Sequence, residues 1–279
     1  MARHLFNRSG GKSRLANKII SYFPEDYSEY VYVEVFAGAG WVWLYKEPSE
    51  YEILNDKDRL LYNAWLCLQR HNGELSDLFL EQIKHECVLE EYIADLEGPV
   101  EPPDIDKALK FIIAFKLLRN STYRPMTKPK MRLAIMKTSF LNLRVVARSL
   151  AERLDNTWLY CQDANVFVNT VLKLQATRGR KILFFLDPVY PDTRNNYFDI
   201  STGEQLEQSW QDTKTLCERI DREGHLFYLT VNETKETASF ASKYFFTVLR
   251  ILNKGCIGSE ILISNYDLQG VAGVVGIDA

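Results

Sequence analysis

Apolar positions along this chain follow two rhythms. Short apolar runs bounded by glycine, proline, asparagine or aspartate predict strands. Tyr30 to Val35 is one, and it feeds directly into the turn FAGAG. Tyr51 to Leu54, Trp158 to Cys161, Lys181 to Leu186, Leu226 to Thr230 and Glu260 to Ser264 are the others. Between them apolar residues recur at helical spacing. Ser13 to Tyr22 predicts a helix ended by Pro24, and Trp41 to Lys46 begins a second. Helical patterns continue over Arg59 to about Ile93, Asp106 to Leu118 and Asn142 to Arg153, from Asn165, and over Leu206 to Arg222. The prolines of EGPVEPPD and YRPMTKPK mark loops, and a polar loop runs on from the strand at Lys181 through Ser201. Strands alternate with helices at both ends, which predicts an α/β fold on a parallel sheet. The middle, 59–149, is helical and poor in strands. It reads as an insertion into one α/β domain formed by 1–58 and 150–279.

Composition narrows the class. With 279 residues, 46% hydrophobic and 25% charged, the chain has the size and balance of an ordinary globular α/β protein. No apolar run approaches the ~18 residues of a membrane span. The start, MARHLFNRSGGKSR, lacks the apolar core of a secretory signal. The five cysteines include no CxxC pair, so neither a zinc site nor a disulfide framework is expected. The expectation is a soluble cytoplasmic protein with reduced thiols, no metal and no membrane partner.

The net charge of −3 conceals a strong asymmetry. From Glu74 to Asp106 eleven acidic residues face only Lys84. From Lys107 to Ala151 no acidic residue occurs, against eleven basic ones. Polar and aromatic residues are interleaved there, as in RNSTYRP. A solvated helix face explains such a run as readily as a phosphate-binding surface does.

Three short motifs carry candidate chemistry. In YVYVEVFAGAG a strand meets Gly38 and Gly40, which let backbone approach a ligand at a helix N-terminus. The dinucleotide fingerprint would need glycine where Trp43 stands. Asp56 ends the next predicted strand, where an acidic side chain commonly holds ribose hydroxyls, although Asn55 or Asp56 also suits a helix N-cap. GGKS is not a Walker loop, because Phe6 occupies the position of its first glycine. In KILFFLDPVY an aspartate stands at the carboxyl end of a buried strand, where α/β sheets bind ligands.

Taken together, RSGGKSRL, VEVFAGAG, ILNDKD, the basic region 107–151, LDPVY and EILISNY resemble, in order, the motifs of the Dam-type (D12 class) DNA N6-adenine methyltransferases. The position of the insertion resembles the alpha group of that class. The resemblance implies a Rossmann-like sheet that uses S-adenosylmethionine, with a helical target-recognition insertion. It implies that Lys12, Phe36, Gly38 and Gly40 bind the methionine half of the cofactor, Asp56 its ribose, and Asp163 its adenine. Plain alternatives are a surface charge for Lys12, a core role for Phe36 and a helix cap for Asp163. The implied activity is methylation of adenine N6 in a specific sequence of double-stranded DNA, by a monomer, on a base flipped from the duplex. Asp187 and the Pro188 carbonyl would each accept an amino hydrogen, localising the nitrogen lone pair, and Tyr190 would stack on the base. Target recognition is expected from Arg119, Asn120, Tyr123, Arg124, Lys128, Lys130 and Arg132. The loop YPDTRNNYF is expected over the flipped base.

One residue departs from the family's Asp-Pro-Pro-Tyr. Val189 keeps the Pro188 carbonyl but loses a ring that sets φ near about −65°. That pre-setting is worth roughly 0.4–1 kcal/mol of chain entropy, which predicts a weakened enzyme more readily than a dead one. The rival expectation is a silent protein that binds cofactor and DNA and transfers nothing.

Overall fold

A computed structural model of the chain describes residues 11–82, 89–117, 137–174, 177–190, 200–202, 206, 208–253 and 256–268. Seven strands form one sheet: β1 (Val31–Glu34), β2 (Glu52–Asn55), β3 (Thr157–Tyr160), β4 (Ile182–Leu186), β5 (Leu226–Asn232), β6 (Phe245–Asn253) and β7 (Cys256–Ser264). Their order is β3-β2-β1-β4-β5-β7-β6. From β3 to β5 every pair is parallel. The chain moves outward in one direction from β1 and in the other from β4, so the crevice between these two strands is a topological switch point.

Helices cover both faces, which is why β1, β2 and β4 are buried along their whole length. Alternate residues separate cleanly. Tyr32, Leu54, Leu183, Phe185 and Tyr228 join one hydrophobic cluster, while Val33, Ile53, Phe184 and Leu229 join the other. The first cluster takes in α1 (Ala16–Ile20), α2 (Trp41–Tyr45), α3 (Arg59–Arg70), α4 (Asn72–Gln82), α5 (Leu89–Asp95), α6 (Ile105–Leu117) and α7 (Lys137–Leu154). The second takes in α8 (Ala164–Lys173), α9 (Trp210–Arg222) and α10 (Lys235–Ala241). The helical middle of the chain therefore shares its core with the sheet.

The structure corrects several expectations. The sheet is not wholly parallel, because β7 runs antiparallel to both β5 and β6. The expected list of strands omits β6, although FFTVLRILN is rich in β-branched and aromatic residues. It also lacks α10, which Thr234 and Thr237 open with a reciprocal capping box. The helical pattern from Arg59 breaks at His71 (φ −129°, ψ 28°), just before the weak helix formers Asn72 and Gly73. α9 starts at Trp210, because Ser209 caps it by accepting from the Asp212 N–H at 3.0 Å. The cap of α3 is neither Asn55 nor Asp56. It is Asp58, whose carboxylate accepts from the Leu61 N–H at 3.1 Å.

Candidate active site

The glycine turn leaves β1 and is held from three sides. Gly38 (φ 51°) and Gly40 (φ 65°) are both left-handed, a conformation costly to any residue with a Cβ. The Gly38 N–H donates to Asp56 Oδ2 at 2.8 Å, and its carbonyl accepts from the Trp65 indole at 3.2 Å. A Cβ on Gly40 would meet the rings of Trp43 at 3.3 Å and Trp65 at 3.4 Å, whereas one on Gly38 would enter open space. Asn55 ties the strand ends together, donating to the carbonyls of Val35 and Gln162 at 3.0 Å each.

Glu34 lies beneath this turn at 1% exposure. Its Oε1 accepts from the Tyr32 hydroxyl at 2.8 Å and the Trp43 N–H at 2.6 Å. Burial pushes its carboxyl up to about 8, against the two hydrogen bonds that favour the anion. Trp43 is itself clamped. Its indole donates to Glu52 at 2.8 Å, and the Arg153 guanidinium stacks 4.5 Å from its ring while donating to its carbonyl and to Glu52. Arg153 belongs to α7, so the helical segment is bonded to the base of the turn.

The second part of the site follows β4. Asp187 Oδ1 accepts from the Thr230 hydroxyl at 2.7 Å and the Tyr190 hydroxyl at 3.3 Å, and it pairs with Lys12 Nζ at 2.7 Å. All three donors converge on one oxygen, and Oδ2 has no partner among the described residues. Lys12 is 4% exposed, so it is a buried cation and not a surface charge. It also lies 3.4 Å from Glu260 Oε2, which accepts from the Tyr190 hydroxyl at 3.0 Å. Burial, then the charges of Asp187 and Glu260, raises the Tyr190 hydroxyl well above its usual range, so it stays a donor. Burial likewise raises the Glu260 carboxyl, which Lys12 opposes.

The two parts meet at one cavity of about 270 Å³. Lys12, Phe36, Gly38, Gly40, Asp56, Asp163, Asp187, Pro188 and Tyr190, the nine catalytic and cofactor candidates legible in the sequence, all line it. Asp163 also caps α8, accepting from the Asn165 N–H at 2.9 Å, so its structural and ligand-facing readings coexist. The seven recognition candidates Arg119, Asn120, Tyr123, Arg124, Lys128, Lys130 and Arg132, and the loop after Tyr190, lie outside the described residues. Two other residues of the basic run have structural partners. Lys107 donates to the carbonyls of Glu97, Gly98 and Pro99, and Lys110 pairs with Asp95 and Asp106. Sequence reasoning missed Glu34, Thr230 and Glu260 as site residues. The available signal was a polar side chain inside a buried apolar strand.

Residues 9–254 match the D12 class of N6 adenine-specific DNA methyltransferases. The chain belongs to that family. It is an enzyme of the adenine-specific DNA methyltransferase kind, with the Rossmann-like fold of methyltransferases that use S-adenosylmethionine and helices inserted into it. No curated protein matches the chain. Among solved structures, the rRNA methyltransferase aviRa from Streptomyces viridochromogenes is 15% identical over 98% of this chain and 94% of its own, with a TM-score of 0.43. That likeness carries no functional inference. Among the described residues of the methyltransferase, no cluster of side chains could hold a metal ion, and no helix is long and apolar enough to cross a membrane.

The cavity fits the cofactor that the family implies. Both Asp56 oxygens accept a backbone N–H, from Gly38 at 2.8 Å and from Asp58 at 3.0 Å, which fixes the carboxylate at the cavity wall. The open space beside Gly38 admits a ligand close to the backbone.

Proposed function

We propose that this enzyme methylates the N6 amino group of adenine at a specific sequence in duplex DNA, on a base flipped into the cavity beside Asp187. The observation that carries this reading is the anchoring of Asp187. Three donors fix Oδ1, and Oδ2 is left to accept a hydrogen from an incoming amino group. The Pro188 carbonyl, next along the chain at the cavity wall, accepts the other hydrogen. With both N–H bonds engaged, the nitrogen lone pair is no longer shared with the ring and becomes nucleophilic. Tyr190, whose hydroxyl is tied to Asp187 and Glu260, offers its ring to the base face. S-adenosylmethionine supplies the electrophilic methyl group when bound. Phe36, the glycine turn, Asp56 and Asp163 hold it on the β1–β2–β3 side of the cavity, and Lys12, paired with Asp187, lines the same cavity.

The order of glycine turn, helical segment and Asp-Pro motif supports a reading of the enzyme as a member of the alpha group. The basic segment between α6 and α7 contacts the target DNA, and Arg119, Asn120, Tyr123, Arg124, Lys128, Lys130 and Arg132 are its recognition residues. Methyl transfer from labelled S-adenosylmethionine to unmethylated genomic DNA, followed by digestion to nucleosides, tests the reading. Label is expected in N6-methyladenine and absent with Asp187→Ala. Label in a cytosine product, or none from the native chain, overturns it.

A further inference from the structure

We infer that Glu260 is a positioning residue that pins Tyr190, and through it the Asp187–Tyr190 loop, whose backbone Val189 leaves freer than a proline would. The inference rests on the adenine-methylation reading for its consequence in catalysis, and on the geometry alone for the pinning.

Asp187, Pro188, Val189 and Tyr190 leave β4 as irregular chain. A proline at position 189 would fix one backbone rotation, and valine leaves it open. The loop is therefore held at its far end by side chains. The Tyr190 hydroxyl donates to Glu260 Oε2 at 3.0 Å, shorter than its 3.3 Å bond to Asp187. The same Glu260 oxygen lies 3.4 Å from Lys12 Nζ, and that ammonium sits 5.2 Å from the Tyr190 ring centre. Lys12 thus bridges the two carboxylates while Tyr190 bonds to both.

Glu260 can do this because of where β7 lies. It pairs with Asn232 at the carboxyl end of β5, two residues beyond Thr230, and so projects from the neighbouring strand on the same face as Thr230. A buried acid there costs desolvation, which its bonds to Lys12 and Tyr190 offset. The ordinary neutral alternative in such a strand is an apolar residue, which would leave the Tyr190 hydroxyl one acceptor fewer.

The test is a set of five proteins: native, Glu260→Gln, Glu260→Leu, Val189→Pro, and Glu260→Leu combined with Val189→Pro. Glutamine keeps an acceptor for Tyr190, and leucine removes it. The first readout is amide hydrogen exchange of the peptide spanning Asp187 to Tyr190, in protein without cofactor or DNA. Exchange is expected to rise about tenfold with Glu260→Leu, to stay near native with Glu260→Gln, and to fall back about two- to fivefold when proline is added. The second readout is kcat for methyl transfer, expected to be lowest in Glu260→Leu, partly restored when proline is added, and near native in Glu260→Gln. Native-like exchange in Glu260→Leu overturns the inference, as does an equal effect of Val189→Pro on the native chain and on Glu260→Leu. A native chain that never labels adenine would sink the proposed function, while the exchange series would still decide the pinning.

Discussion

Replacing Glu34 by glutamine should flatten the pH dependence of stability. Burial pushes this carboxyl up to about 8, against an ordinary value of 4.5. Below the lower value both folded and unfolded chains hold the proton, and the fold carries no penalty. Between the two values only the folded chain holds it, so stability falls by about 1.4 kcal/mol per pH unit. Over the roughly 3.5 units between them the loss reaches about 5 kcal/mol, and it levels off above the folded value. Glutamine is neutral throughout. Both hydrogen bonds of Glu34 fall on Oε1, so a glutamine oxygen can accept from Tyr32 and Trp43 while its amide takes the place of the acid's hydroxyl. The assay is urea unfolding of both proteins at several values from about pH 5 to about pH 8. The variant should gain on the native chain by several kcal/mol over that range, in the direction of rising pH. Parallel stability curves would refute the reasoning, since they would mean that Glu34 is ionised in the fold.

Three further outcomes follow from the site. Thr230→Val removes a 2.7 Å donor from Asp187 at nearly constant volume; kcat should fall about 10- to 100-fold, the equivalent of roughly 1.5–3 kcal/mol, and an unchanged kcat would show that the anchor is dispensable. Gly38→Ala should cost about 1–2 kcal/mol through its positive φ and weaken S-adenosylmethionine binding measured by calorimetry, whereas Gly40→Ala should destabilise more because its Cβ also meets Trp43 and Trp65. Arg153→Met takes from Glu52 one of the two cations it pairs with, Lys46 remaining, and should lower unfolding free energy by about 3 kcal/mol; a change below about 1 kcal/mol would mean that the tie between α7 and the glycine turn is weak.

Much of the catalytic half was legible because its signals are local. A strand running into FAGAG needs glycines at positive φ, and an aspartate ending a buried apolar run, although it also suits a turn cap, stands at the carboxyl edge where such sheets bind ligands. Asp58 was harder, since ILNDKD offers three capping residues in four positions and only backbone geometry selects one. Lys12 shows the limit of composition. A lysine in a polar basic segment reads as solvated, yet it is buried between two carboxylates that come from residues 187 and 260.

The order of elements, the strand ends that carry ligand-facing side chains and the family itself all follow from residues close together in the chain. The direction of β7 does not. EILIS has the same apolar pattern whichever way it runs, because side-chain alternation in a strand is blind to polarity. In the expected parallel sheet, Glu260, at the start of its predicted strand, would stand at the amino edge, away from the cavity. Antiparallel pairing with β5 brings it to the carboxyl edge, opposite Asn232 and within reach of Lys12 and Tyr190. The local sequence supplied the acid, and only the pairing of distant strands decided that it would serve the site.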